Sequence, residues 1–201
     1  MEHKFLKKEE ENPGLRESIL DYFHDLIYIL TVVVLLCLVF FRVVVVSGSS
    51  MYNTLLDGDY LLLISNVFYR NPQPGDIVVA SKESFDNGAP IVKRVIATEG
   101  QTVDIDFEAG IVYVDGEALQ EDYTYTPTNV QEGMTFPLTL QDGCVFAMGD
   151  NRNKSRDSRY PDIGLIDRRE ILGKALVLIY PGAGEDPYGG VRDYNRIGVL
   201  K

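Results

Sequence analysis

Histidine is scarce in this 201-residue chain: there are two, His3 and His24, and both precede a run of apolar side chains. The part after that run has no imidazole of its own, and histidine is the commonest general base. Cysteine is equally scarce. Cys37 lies inside the apolar run and Cys144 more than a hundred residues later. A bond between them would join the run's interior to the later part, so no disulfide is expected. No Cys-x-x-Cys or His/Cys spacing suggests zinc. No calcium loop and no phosphate-binding glycine motif occurs. Clustered basic residues are missing too. Net charge is −11, and no basic run exceeds Lys7-Lys8 or Arg168-Arg169, which argues against a nucleic-acid partner. The acidity reads as solubility. With 45% hydrophobic and 24% charged residues, the composition is not that of a disordered chain. The length suits one ordinary domain and an appendage.

What is present begins with the run itself. Leu26 to Phe41 reads LIYILTVVVLLCLVFF, 16 residues without a charge. As a helix it would measure ~24 Å, somewhat less than a hydrocarbon core of ~30 Å. Arg42 interrupts, and Val43–Val46 continue the run; an arginine that snorkels to the headgroups lets the span extend. A cleaved signal peptide fits poorly. The core is long for one, 25 residues precede it, and Val-Ser-Gly is a weak imitation of an Ala-x-Ala site. A buried core helix would sit oddly beside a β-rich domain. The favoured reading is an uncleaved anchor. Lys4, Lys7, Lys8 and Arg16 flank it on the N-terminal side, and nothing basic follows Arg42 until Arg70. Residues 1–24 are therefore expected as a cytoplasmic tail, 25–42 as the transmembrane anchor and 43–201 as an extracytoplasmic domain in the cell envelope. Asn12-Pro13 resembles a helix start.

After Val43 strand signals dominate and helical period is nearly absent. Tyr60–Ile64, Asp76–Ala80, Ile91–Ala97, Thr102–Phe107, Ile111–Val114, Cys144–Met148 and Lys174–Tyr180 are short runs rich in β-branched and aromatic residues. Asp57-Gly58, Asp115-Gly116 and Asp142-Gly143 fit tight turns, and the second predicts a hairpin within Val112–Leu119. Asp167–Leu172 is expected as one or two helical turns. The fold class is mainly β, one β-rich domain behind one N-terminal transmembrane helix.

Three serines, Ser47, Ser49 and Ser50, follow the apolar run within four positions. With both histidines before the anchor, a Ser-His-Asp triad and a Cys-His pair are excluded for the exported domain. No G-x-S-x-G elbow is present. A lysine can replace histidine as base if burial lowers its pKa from ~10.4 toward neutrality. Ile91-Val92-Lys93-Arg94-Val95-Ile96 reads as a strand with two adjacent cations. Alternation sends one inward with Ile91 and Val95 and the other outward with Val92 and Ile96. The alternative is a basic pair on an edge strand, guarding against aggregation; composition by itself favours that alternative.

Four boxes in order carry a resemblance. Ser50-Met51-Tyr52-Asn53-Thr54-Leu55, Gly75-Asp76-Ile77-Val78-Val79, Lys93-Arg94-Val95, and Gly149-Asp150-Asn151-Arg152 continuing to Ser155, Asp157, Ser158 and Arg159 resemble the S-M-x-P-T-L, G-D-I-V-V, K-R-V and G-D-N-R-x-x-S-x-D-S-R boxes of bacterial type I signal peptidases. The single anchor is similar to the Gram-positive forms. The resemblance implies a Ser/Lys serine endopeptidase that removes signal peptides from exported preproteins after small residues, at Ala-x-Ala type sites. It implies no cofactor or metal. Its partners would be those signal peptides, the bilayer and the secretion translocon beside it. Ser50 takes the nucleophile's place and Lys93 the base's place. Ser155 corresponds to the serine that hydrogen-bonds the lysine amine. The oxyanion donors implied are the Ser50 N–H and a group at Gly48. Asp157 with Arg159, and Asp150 with Arg94, would be pairs that scaffold the site. Val43–Val46 and Ile91-Val92 are the candidate substrate walls, so Val46, Ile91 and Val92 are expected to touch the leader. Met51 is a further candidate contact, with core packing as its alternative. Asn53 departs from the usual proline; asparagine also tolerates turns. Two rivals remain. A self-cleaving repressor shares the chemistry but needs a DNA-binding domain and no anchor. A tethered, non-catalytic β domain would tolerate alanine at both Ser50 and Lys93.

Overall fold

The computed structural model describes residues 15–184 and 190–200. They fall into two units, one ending at Val39 and the other beginning at Phe40. The first unit is one helix, α1 (Leu15–Phe40). Its apolar side chains, among them Ile19, Tyr22, Leu26, Ile29, Leu35 and Leu38, are exposed around the whole circumference. From Leu26 on, the helix is apolar all round apart from Thr31, and such a segment has no face suited to water. Ser18–Phe40, 23 residues, is long and apolar enough to cross a membrane, at ~34 Å of helix. The polar side chain of Thr31 is satisfied within it by donating to the Ile27 carbonyl at 2.7 Å. Asn12-Pro13 lies outside the described residues. The helix stops before Phe41 and Arg42, which the sequence reading put in the anchor. Both are strand instead, because the β-branched Val43–Val45 behind them favour an extended ladder that runs back to Phe41 opposite Ile64.

The second unit holds β1 (Phe41–Val45), β2 (Tyr60–Ser65), β3 (Ile77–Ser81), β4 (Pro90–Ala97), β5 (Thr102–Asp106), β6 (Ile111–Val114), β7 (Glu117–Ala118), β8 (Leu138–Thr139), β9 (Cys144–Met148), β10 (Ile166–Asp167), β11 (Ile171–Tyr180) and β12 (Gly198–Val199). A large antiparallel sheet runs β1-β2-β11-β3-β4-β9-β10, with β12 added on β11; a small one runs β7-β6-β5-β8. The fold is mainly β, as the alternation and turn signals require. The Asp115-Gly116 hairpin forms between β6 and β7. Asp167–Leu172 holds the lesser of the two expected lengths, a single 3-10 turn, Arg168–Glu170, closed by a capping box of Asp167 and Glu170. Ile171 and Leu172 belong to β11, whose ladders to its neighbours outweigh one more helical turn.

The strand that matters most is β4. It lies between β3 and β9, and every residue from Ile91 to Ala97 is buried. Neither expected exposure holds: Lys93-Arg94 is not an edge pair, and neither side chain faces water. The cause is that both faces of the sheet are covered. Val92 joins one cluster with Val46, Met51, Leu55 and Val79. Ile91 and Val95 join a second with Val78 and Ile163. A third, holding Ile96, Phe146 and Met148, packs against Val103 and Val112 of the small sheet.

Candidate active site

The loop between β1 and β2 carries the serines. It is closed at its base by Val46 N–H on the Asp59 carbonyl at 2.8 Å and Gly58 N–H on the Val46 carbonyl at 2.9 Å. Gly48 sits at φ +85, a left-handed conformation that glycine adopts without steric cost. Its N–H donates to Asp57 Oδ1 at 2.7 Å. Met51 and Leu55 are sunk in the core, and the Leu55 N–H donates to the Met51 carbonyl at 2.8 Å. Ser50 is thus held one residue from a buried anchor. Its carbonyl accepts from Asn151 N–H at 3.0 Å, and the Asn151 amide donates to the Ser49 carbonyl at 3.1 Å.

With its backbone pinned, Ser50 turns its hydroxyl toward β4. Lys93 Nζ donates to Ser50 Oγ at 2.8 Å and to its neighbour's carbonyl, Val92 O, at 2.9 Å. The lysine is 4% exposed. Burial brings its pKa from 10.5 down to about 8, more than Asp157 and Asp150 raise it. Among the described residues no carboxylate forms a salt bridge with it. An amine poised near neutral pH, within hydrogen-bond reach of a hydroxyl, can take that hydroxyl's proton.

Arg94, the next residue, is held in the opposite manner. Its guanidinium makes a two-pronged pair with Asp150, Nε at 2.9 Å and Nη2 at 2.8 Å, and donates to the Gly75 carbonyl at 2.9 Å. The Tyr123 ring centre lies 4.1 Å from its guanidinium carbon. The Asp157–Arg159 pair is also fully buried, at 2.9 and 2.8 Å. Asp157 Oδ2 accepts the Gly149 N–H at 3.0 Å, and Arg159 Nη2 donates to the Arg152 carbonyl at 2.6 Å. These contacts stitch the loop after β9 to itself around Ser155. The two pairs read from the sequence are therefore formed.

Three expectations are not met. Ser155 does not bond the lysine: its Oγ is buried with no hydrogen-bond partner among the described residues, and the Val92 carbonyl has the amine's second bond. The Gly48 N–H is committed to Asp57 and so is not a free oxyanion donor. Met51, 1% exposed, is core and not substrate wall, because it is the anchor on which the loop turns. Val46, Ile91 and Val92 do line a cleft of about 350 Å³ beside Ser50 and Lys93, with Val44, Val45 and Pro90.

Sequence reasoning missed the supports. A Cβ on Gly149 would lie 2.2 Å from Ser155 Oγ and 2.4 Å from the Ser50 carbonyl oxygen, so this glycine lets the two serine segments meet. Asp59, fully buried, accepts from Leu56 N–H at 2.8 Å and Gly182 N–H at 2.7 Å. Arg196 grips both its oxygens at 2.9 and 2.6 Å. The chain's last described segment thereby clamps the loop that carries Ser50. The one available signal was an acidic residue straight after the Asp57-Gly58 turn. Among the described residues no group of His, Cys, Asp and Glu is placed to hold a metal ion.

Residues 19–180 match the family model described as signal peptidase, peptidase S26. The chain is 37% identical over 145 residues to a probable signal peptidase I-1 of Synechocystis sp., covering 69% of this chain and 70% of that protein. It is 29% identical over 181 residues to a signal peptidase I of Bacillus licheniformis, covering 86% and 95%. A solved signal peptidase I of Enterococcus faecalis V583 is 30% identical, covering 52% of this chain and 96% of that one, with a TM-score of 0.42.

Proposed function

The chain belongs to the signal peptidase family, peptidase S26, a family of serine proteases that remove signal peptides, and from that premise we propose that Ser50 and Lys93 perform the hydrolysis as nucleophile and base. The carrying observation is a single one: the buried, uncompensated Lys93 amine 2.8 Å from Ser50 Oγ. Neutral Lys93 takes the hydroxyl proton as Oγ bonds to the carbonyl carbon at the end of the leader. The oxyanion is held by the Ser50 N–H, since the Gly48 N–H is occupied. The tetrahedral species expels the mature N-terminus as an amine, which receives the proton from the Lys93 ammonium. Water, deprotonated by the same lysine, then attacks the acyl carbon; the C–Oγ bond breaks, the Lys93 ammonium returns its proton to Ser50 Oγ, and the leader leaves with a free carboxyl group. No step calls for a metal. Ser155, whose buried hydroxyl is unpaired beside Ser50, is the group free to hold the amine once Oγ is bonded to substrate.

Specificity comes from the cleft. Val44–Val46 form one wall and Pro90–Val92 the other, so an extended leader lies between two backbone segments with β-branched side chains. Such walls admit small residues and exclude large ones, which suits Ala-x-Ala sites. We assign α1 as an uncleaved anchor in the bilayer with residues 1–24 cytoplasmic, and residues 43–201 as the extracytoplasmic catalytic domain, working where preproteins leave the translocon. Cleavage of an Ala-x-Ala preprotein in detergent, across pH 6 to 10, tests the assignment. Wild type cutting after the second alanine, with Ser50→Ala and Lys93→Ala inert, is expected. Normal cutting by either variant overturns the pair.

A further inference from the structure

Ser50 stands between two clefts that share no residue. The first holds Lys93 and the leader walls. The second, about 390 Å³, begins at Ser49 and is bounded by Tyr52 and Asp57 of the nucleophile loop, Asn151 and Lys154 of the loop after β9, and Tyr125. The two meet at the Ser49–Ser50 peptide. A peptide extended through Ser50 advances ~3.3 Å per residue, so its second half passes Ser49 within one or two residues and has this cleft before it. The floor there is rigid: Asn151 bonds both the Ser49 and Ser50 carbonyls, and the Tyr52 and Tyr125 rings meet edge to face at 4.7 Å.

Resting on the reading of Ser50 as nucleophile, we infer that this second cleft binds the first residues of the mature protein and that Lys154 makes it favour an acidic side chain. The charges decide the preference. The Asp57 carboxylate accepts the Gly48 N–H, and the Asn151 amide is occupied by Ser49. Lys154, the exposed last residue of a 3-10 turn whose first residue, Arg152, is buried, makes no salt bridge among the described residues. The lining thus carries one anion, Asp57, tied through Oδ1 to Gly48 within its own loop, and one cation, Lys154, with no ion-pair partner among the described residues.

Preproteins differing only in Glu or Lys at the second mature residue, cleaved by full-length wild type and by Lys154→Glu, test this. Wild type is expected to prefer Glu by roughly threefold in kcat/KM, the size of an exposed ion pair, and Lys154→Glu to prefer Lys. A photo-crosslinker at that residue, offered to Ser50→Ala, is expected to label Tyr125 or the Asn151–Lys154 segment; this arm does not depend on how Lys154→Glu folds. Equal preference in both enzymes together with no label there overturns the cleft assignment and leaves the Ser50–Lys93 pair standing. Cutting by Ser50→Ala overturns the pair, and the cleft assignment with it.

Discussion

The groove around Lys93 and the loop from Asp150 to Arg159 lie side by side and treat buried charge in opposite ways. At the loop the buried guanidiniums of Arg159 and of Arg94, which reaches it from β4, each meet a carboxylate through two hydrogen bonds. In the groove the cation meets a hydroxyl, a carbonyl and apolar walls. Adjacent residues on β4, Lys93 and Arg94, are divided by this boundary. A paired charge stays ionised and braces the fold. An unpaired one loses its proton more readily, as the proposed base must.

The largest expected effect comes from making the groove's cation permanent. Lys93→Arg keeps the charge but cannot deprotonate, so the rate falls by about 10²–10⁴-fold, the worth of a general base, and preprotein cleavage reads it. Next is the loop. Asp157→Ala leaves the Arg159 guanidinium buried and unpaired, costing roughly 3–5 kcal/mol; thermal unfolding should show a large fall in Tm, and an unchanged Tm would mean the pair braces nothing.

The pH dependence separates the two regions further. Burial holds Lys93 near 8, and the base works deprotonated, so kcat/KM should rise with pH to half its plateau near 8. Stability carries the same sign. Between about 8 and 10.5 the unfolded lysine binds a proton that the folded one has lost, so stability increases with pH across that window. Denaturant titrations at pH 7.5 and 10 check it, and Lys93→Met should abolish that part of the slope. Arg196→Ala, which removes the clamp on Asp59, is expected to cost about 1–3 kcal/mol and to lower kcat through a looser Ser50 loop. The smallest effect on stability is that of Ser155→Ala. Its hydroxyl makes no bond, so Tm should change by less than about 1 kcal/mol equivalent. A fall in cleavage with Tm intact assigns the hydroxyl to the lysine during turnover; unchanged cleavage removes it from the site.

Most of the strand pattern could be read along the chain. β4, β6 and β9 appear where β-branched runs are bounded by turn residues, and the Asp115-Gly116 hairpin closes as glycine at φ +84 permits. The four strands two residues long carry no periodicity to detect; β7 is signalled by the Asp115-Gly116 turn before it, and β8, β10 and β12 are defined by their partners alone. β1 was absorbed into the apolar run for a related reason: Phe41–Val45 is equally hydrophobic as strand or membrane helix, and the ladder to β2 decides. In the site, Ser50, Lys93 and the two charge pairs were legible through four boxes. The roles of Asp57, Asp59, Gly149 and Arg196 were not, because the contacts with Gly48, Gly182, Ser155 and Asp59 that reveal them are made only on folding.

The chain's local pattern by itself determined an apolar helix without a polar face, a β-rich remainder, and the lack of histidine beyond the helix, which left lysine as the available base. Local chemistry is enough for those conclusions, since helical period, turn residues and residue inventory act over a few positions. Tertiary structure alone decided which of two neighbouring cations is paired with a carboxylate and which is not. Lys93 and Arg94 are both buried on one strand, and the difference lies in what is placed opposite: Asp150, 56 residues on from Arg94, for one, and Ser50, 43 residues back from Lys93, for the other. Desolvation and pairing are properties of that assembled surrounding, and they set the lysine's proton affinity.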